Sequence, residues 1–564
     1  MLSEEHATSG YETSTGIYHS LLPLPTHLPL HSSAVLSLPS YLFSLPLPSL
    51  SHPCFIDAST GTTLTFTSLR HLVSLAASRL LSNHGLKPHD VVLLVAPNSL
   101  YFPVVSLAIL SIGAILSPAN PLLTRSEFES QITDCSPSLI ITTKSLSSKM
   151  SNLIPNPLLF IEDFISDLLT NPKPTVQAPL KLPYECIKTS DPAVLMYSSG
   201  TTGKSKGVIC THANLISMTH VLSHVWGGTG TGTGNGAGTD TGTRDVYACV
   251  LPLFHMFGFS VFVMGVLATG ATSVIVPDRF TPDRLMEAVR KYSVTRVPVV
   301  PPMVVMMTRK GHVAGGGGIG SLKEVISSGA PLAREHMERF ALCFPGVRLS
   351  QCYGLTETSG PVTLCDGVEV LLHTSIGRVI PTMEAKIMDI SSGESLAPNN
   401  IGELCLRGPS VMQGYLRNKE ATSLAIDKDG WLSTGDLCYI DSHGCVYVVD
   451  RIKELIKYKA YQVAPAELEE ILSSHQEIQD VAVTSHPDEE AGEIPMACVV
   501  RKSGSKIKEI DIIAFMRDKV APYKKIRKVI FLDSIPRSPS GKILRWHLRS
   551  RISNLNKIDV QARL

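Results

Sequence analysis

Residues 197 to 207 read Tyr-Ser-Ser-Gly-Thr-Thr-Gly-Lys-Ser-Lys-Gly, immediately after the apolar run Ala193-Val194-Leu195-Met196. Glycines let backbone N–H groups approach an anion closely, hydroxyls add further donors and lysines add charge, so this composition suits a polyphosphate. An ordinary Gly/Ser turn has no use for so many donors beside two lysines. Its last part, Gly203-Lys204-Ser205, matches the end of the phosphate loop G-x-x-x-x-G-K-[ST] of nucleotide hydrolases. The first glycine of that pattern falls on Ser198, so the match fails there.

Other residues of chemical interest lie far apart in the chain: His255, Glu357, Asp436 and Lys542. Taken singly, each has a plain reading. Glu357 would be a solvated carboxylate, His255 a core histidine, Asp436 a turn residue after Gly435, and Lys542 one more cation in a basic tail.

The elements that must hold them alternate. From about Leu64, β-branched apolar runs such as Val91-Val92-Leu93-Leu94-Val95, Ser138-Leu139-Ile140-Ile141-Thr142 and Val297-Pro298-Val299-Val300 are interleaved with amphipathic segments, which predicts wound α/β layers. The uncharged run Phe259 to Pro277 is long enough to raise a membrane span. Gly265, Gly270 and the β-branched end at 272–276 divide it instead into a buried helix and a buried strand. Near Asp450-Arg451-Ile452-Lys453 the elements become shorter and more charged, which marks a domain boundary. The divisions expected are 1–54 as an N-terminal extension, 55–450 as a large domain and 451–564 as a small one. The glycine-rich tracts 227–243 and 315–318 read as loops with no required function, and the second lacks a dinucleotide fingerprint.

A chain of 564 residues exceeds the growth limit of one core. A formal net charge of +1 gives no electrostatic reason to expect nucleic acid or an anionic membrane. Twelve scattered cysteines show neither a disulfide framework nor zinc spacing, and are read as structural thiols. The N-terminus has no basic region leading into an apolar stretch, so secretion is not expected.

The loop at 197–207 resembles the signature loop of the adenylate-forming superfamily, Y-S-S-G-T-T-G-x-P-K-G. Further blocks follow in that family's order: Pro252 to Gly258, Ser328-Gly329-Ala330-Pro331-Leu332, Gln351-Cys352-Tyr353-Gly354-Leu355-Thr356-Glu357, Gly402 to Gly408, Gly414-Tyr415, Gly430 to Leu437, Asp450 to Lys459, and Pro539 to Arg545. The likeness covers about residues 55 to 550 and is to the version found in plant 4-coumarate:CoA ligase-like enzymes. It implies an α/β multidomain fold: a large N-terminal domain of stacked α/β sheets with a barrel-like portion, and a small mobile α+β C-terminal lid. It implies an acid:CoA ligase that forms an acyl-AMP and then a thioester, using ATP, Mg²⁺ and coenzyme A.

By the same resemblance Ser198, Ser199, Gly200, Thr201, Thr202 and Lys206 hold the ATP phosphates, with Ser205 replacing a usual proline. Thr356 meets the α-phosphate and Glu357 the Mg²⁺. Gly329, Ala330 and Tyr353 frame the adenine, Gln351 is a further cofactor-binding residue, and Asp436 and Arg451 fix the ribose. Lys542 serves adenylation. Lys453 is the hinge about which the lid turns, and Lys457 and Gln462 serve the thioester-forming state. Lys459, Ala460 and Arg279 lie along CoA, Ala460 standing where glycine is common.

His255 then gates the acid channel, lined by Phe257, Val261 and Cys352. Hydroxycinnamate-specific relatives tend to offer a tyrosine hydroxyl where Phe257 stands, and a buried phenol without a partner is costly. The expected substrate is therefore an apolar carboxylic acid, a fatty acid or an oxylipin (jasmonate precursor), with hydroxycinnamate second. A carrier-protein or oxygen-using adenylating enzyme and a P-loop hydrolase are the readings of other kinds. The terminal Ala562-Arg563-Leu564 has the form of a peroxisomal address, which would engage the import receptor; the alternative location is cytoplasmic.

Overall fold

The computed structural model describes residues 9–23, 36–47, 49–151, 158–171, 187–198, 206–226, 244–276, 280–309, 320–365, 374–458, 461–488, 491–517, 519–520, 522–537, 541, 543–545, 547–549 and 551–552. Four sheets organise them. The apolar runs noted above supply the centres of the two largest, because strands buried on both faces need hydrophobic side chains throughout. Val91–Val95, Ile115–Ala119 and Leu139–Thr142 run parallel in a seven-stranded sheet. Val246–Cys249, Thr272–Ile275, Arg296–Val299, Glu324–Ser327 and the start of Arg348–Leu355 run parallel in a nine-stranded one.

A six-stranded antiparallel sheet follows, ending in Leu432–Ile440 and Val446–Arg451. Its opposite edge is the hairpin of Tyr11–Glu12 and Ile17–His19, which pairs with Glu384–Met388. The last sheet holds five strands, from Ile456–Tyr458 to Lys528–Phe531, with its own cores around Leu468, Val483 and Val499 and around Cys498 and Leu548. Only the turn Ile452–Glu454 separates the Val446–Arg451 strand from this small sheet.

The uncharged run does divide into helix and strand. Phe259–Gly265 is a wide π-helical segment, Val266–Thr269 completes it, Gly270 stops it at φ +73°, and Thr272–Ile275 is a buried strand. The π geometry was not foreseen. Gly265 is required there, because an added Cβ would stand 2.6 Å from the Trp226 ring. Among the described residues no helix is long and apolar enough to cross a membrane.

Candidate active site

The site residues converge where parallel strands of the nine-stranded sheet end, the edge at which open α/β sheets bind ligands. Ser327 and Gln351 are partners on adjacent strands, so the segments that follow, Ser328-Gly329-Ala330 and Cys352-Tyr353, emerge side by side. The Ser328 hydroxyl donates to the Cys352 carbonyl at 2.6 Å, tying them together. Gly329 has φ +88°, a left-handed conformation that favours glycine. Gln351 is buried and its amide donates to the Ser375 carbonyl at 3.2 Å.

Tyr353 donates its hydroxyl to Asp436 Oδ2 at 2.6 Å, and Arg451 Nε lies 3.1 Å from Asp436 Oδ1. Asp436 and Arg451 are cross-strand partners on Leu432–Ile440 and Val446–Arg451, so the pair is built into the sheet register. Burial and the Asp436 carboxylate both push the Tyr353 phenol well above its ordinary range, and Asp436 raises the Arg451 guanidinium further. The phenol and the guanidinium therefore both keep their protons at neutral pH.

The signature loop spans two antiparallel strands, Pro192–Ser198 and Lys206–Thr211, in which Ser198 and Lys206 are partners. Residues 199–205, including Ser199, Gly200, Thr201 and Thr202, lie outside the described residues. The Lys206 ammonium sits 4.9 Å from the centre of the Tyr415 ring, and the Tyr415 hydroxyl donates to Glu357 Oε1 at 3.0 Å. Thr356 and Glu357 occupy a 3₁₀ turn directly after the Arg348–Leu355 strand. Cation, ring and half-buried carboxylate thus form one line.

On the acid side, His255 caps the short turn Met256–Gly258, its Nδ1 accepting from the Phe257 N–H at 3.3 Å. Nδ1 as acceptor leaves the proton of the neutral ring on Nε2. His255 is exposed, Phe257 half-buried against the main core and Val261 fully buried. Burial pushes the Cys352 thiol up to about 12, so it stays protonated and unreactive.

Comparison with known proteins gives the same answer from two directions. Residues 49–416 match the AMP-binding enzyme family and residues 467–542 the AMP-binding enzyme C-terminal domain. A rice (Oryza sativa subsp. japonica) protein named "Putative 4-coumarate--CoA ligase-like 8" is 48% identical, over 98% of each chain. The chain belongs to the adenylate-forming acid:CoA ligases, among the plant 4-coumarate:CoA ligase-like proteins. The Peroxisomal OPC-8:0-CoA ligase 1 of Arabidopsis thaliana is 42% identical to this ligase, over 97% of this chain and 98% of that one. In structure, the ligase resembles ATP-bound MatB from Rhodopseudomonas palustris, with TM-score 0.80, 25% identity, and 92% and 99% of the two chains covered.

The lid side of the ligase is seated against the large domain. Lys542 lies outside the described residues, but its neighbour Gly541 is buried at φ +83°, where an added Cβ would stand 2.7 Å from Pro302 Cδ. Pro302 lies in the first turn of the helix Pro301–Arg309 that follows the Arg296–Val299 strand, at the same edge of the sheet as Ser328 to Ala330. Lys453 lies in the Ile452–Glu454 turn, and Lys457 and Gln462 are Cα partners in the hairpin beyond it. Lys459, Ala460, Arg279 and Ala562 to Leu564 are outside the described residues. Tyr415 and Glu403, which accepts the Gly435 N–H at 3.0 Å, were not singled out in the sequence; both stand in ordered motif blocks, the one signal that could have marked them.

Proposed function

We propose that this ligase adenylates an apolar carboxylic acid and passes the acyl group to coenzyme A. The observation that carries the choice of acid is the Phe257, Val261 and Cys352 set, which brings a benzyl, an isopropyl and a protonated thiol but no hydroxyl for a phenolic substrate. The 42% identity to a protein named Peroxisomal OPC-8:0-CoA ligase 1 supports an oxylipin or fatty acid and a peroxisomal location.

In the first step a carboxylate oxygen of the acid attacks the α-phosphorus of ATP and the bond to the β-phosphate oxygen breaks, giving acyl-AMP and pyrophosphate. Lys206 and the hydroxyls of the signature loop hold the phosphates, Thr356 contacts the α-phosphate, and Lys542 stabilises charge on the phosphoryl oxygens. Gly329, Ala330 and Tyr353 frame the adenine and Gln351 also binds cofactor, while Asp436 and Arg451 present an acceptor and a donor to the ribose hydroxyls. Glu357 fits Mg²⁺: it is a hard oxygen ligand held in place by the Tyr415 hydroxyl. Mg²⁺ bound there would neutralise phosphate charge.

In the second step the thiolate sulfur of CoA attacks the acyl carbon and AMP leaves with the bond electrons. In this reading the lid, residues 451–564, turns on Lys453, and its rotation brings Lys457, Gln462, Lys459 and Ala460 to the adenylate, with Arg279 near the CoA nucleotide. His255 gates the acid channel. The test is a kcat/KM comparison across aliphatic, oxylipin and cinnamic acids; 4-coumarate far above every aliphatic acid would reverse the assignment.

A further inference from the structure

Asp450 is the last residue but one of the final strand of the six-stranded sheet, Val446–Arg451, which runs into the Ile452–Glu454 connector. It is 6% exposed. Its Oδ1 accepts the N–H of Arg451 at 2.7 Å, on its own side of the connector, whereas Oδ2 accepts the N–H of Ala466 at 2.8 Å, on the other. Ala466 lies in the first turn of the lid helix Pro465–Ser473. That helix cannot cap itself. Its N-cap residue is Ala464, with no side-chain acceptor, and Pro465 has no N–H, so Ala466 is the first residue with a donor to satisfy.

The lid also turns a cation toward the same carboxylate. Burial pushes Asp450 up, and the Arg545 guanidinium and the two N–H bonds oppose that. Arg545 is buried and donates to Glu454, to Glu469 Oε1 at 2.7 Å and to the Val483 carbonyl at 3.0 Å. It follows closely on Gly541, the residue packed against Pro302. One carboxylate therefore accepts from the first turn of the lid helix, with the buried charge of Arg545 acting on it from the same side.

We propose that Asp450 is a positioning residue: by capping the lid helix from across the connector, it holds the lid in the seated, adenylating arrangement. The inference rests on the two-step reading above. Any turn of the lid about residues 452–454 carries Ala466 away while Asp450 stays with its strand, so this bond exists in one arrangement only. Its loss shifts the balance between the two arrangements by its differential strength.

The test uses the full chain with Asp450→Asn and Asp450→Ala, measuring two half-reactions separately: adenylate formation without CoA, trapped with hydroxylamine, and CoA-dependent consumption of supplied acyl-adenylate. Adenylate formation is expected to fall roughly tenfold in both variants, as for a lost charged cap, with thioester formation held to within about twofold. A parallel fall in both half-reactions, or no change in either, overturns the proposal, because a merely structural role would not separate them. A donor–acceptor fluorophore pair at Leu342 and Lys502 reads the lid directly. The variants are expected to shift its distance distribution in the nucleotide-free protein, and an unchanged distribution overturns the proposal. Should the wild-type chain form no adenylate, the reaction reading fails by itself and the fluorescence result still decides the role of Asp450.

Discussion

Asp436 shows how one carboxylate is shared. Its two oxygens are occupied by the Tyr353 hydroxyl and the Arg451 guanidinium, so replacing it leaves a half-buried phenol and a half-buried cation without their acceptor. Tyr415→Phe removes only the hydroxyl that steadies Glu357, and KM for MgATP is expected to rise about 3- to 10-fold with the fold intact, a loss the size of one ordinary hydrogen bond. Lys542→Ala should lower adenylation about 100- to 1000-fold and leave CoA-dependent consumption of supplied acyl-adenylate near wild type. Lys204→Ala should leave turnover measurable; complete loss there with Lys542→Ala still active would favour a phosphate-loop hydrolase. At this scale motif blocks located Asp436, Arg451 and Glu357, because their types are fixed by what they touch. Tyr415 and Asp450 escaped notice since their partners come from remote segments, Glu357 and Ala466, and no local pattern records such a meeting.

The strands were largely legible because a doubly buried strand must be apolar throughout, and Val91–Val95 and Leu139–Thr142 follow that rule. The run from Phe259 to Pro277 was legible as helix and strand, but not as a π-helical turn, since no side-chain periodicity distinguishes a widened turn and the close approach of the Trp226 ring to Gly265 is a contact between separate segments. Gly265→Ala puts a methyl 2.6 Å from that ring, and overpacking of this kind should cost about 1–3 kcal/mol, read as a lowered unfolding midpoint in urea. The hairpin 11–19 that joins the six-stranded sheet was hidden for a simpler reason: strands of two and three residues carry too little alternation to recognise.

At the scale of the molecule, the described residues of the six-stranded and five-stranded sheets are joined through residues 452–455, with buried charge at the junction. Asp450 is pushed up to about 6 there, chiefly by burial. A folded-state value above the unfolded one means that the group's contribution is fully present below pH 3.8 and is lost as pH rises through 6. Asp450→Asn removes that loss, so its stability relative to wild type should improve between pH 4 and pH 8, by on the order of 1–3 kcal/mol, even as adenylation falls. Paired urea titrations at the two pH values check the sign. A change in texture near residue 450 is the sequence's own mark of a division there, whereas the seating of Gly541 on Pro302 is a long-range contact that sequence alone does not show.

The central claim is that this chain couples adenylation of an apolar acid to thioester formation. The most direct measurement is AMP and acyl-CoA production by the purified protein, with ATP, Mg²⁺, CoA and a panel of aliphatic, oxylipin and cinnamic acids ranked by kcat/KM. Equal amounts of AMP and acyl-CoA, with an apolar acid preferred, are predicted; AMP or ADP appearing without any acyl-CoA would contradict the account.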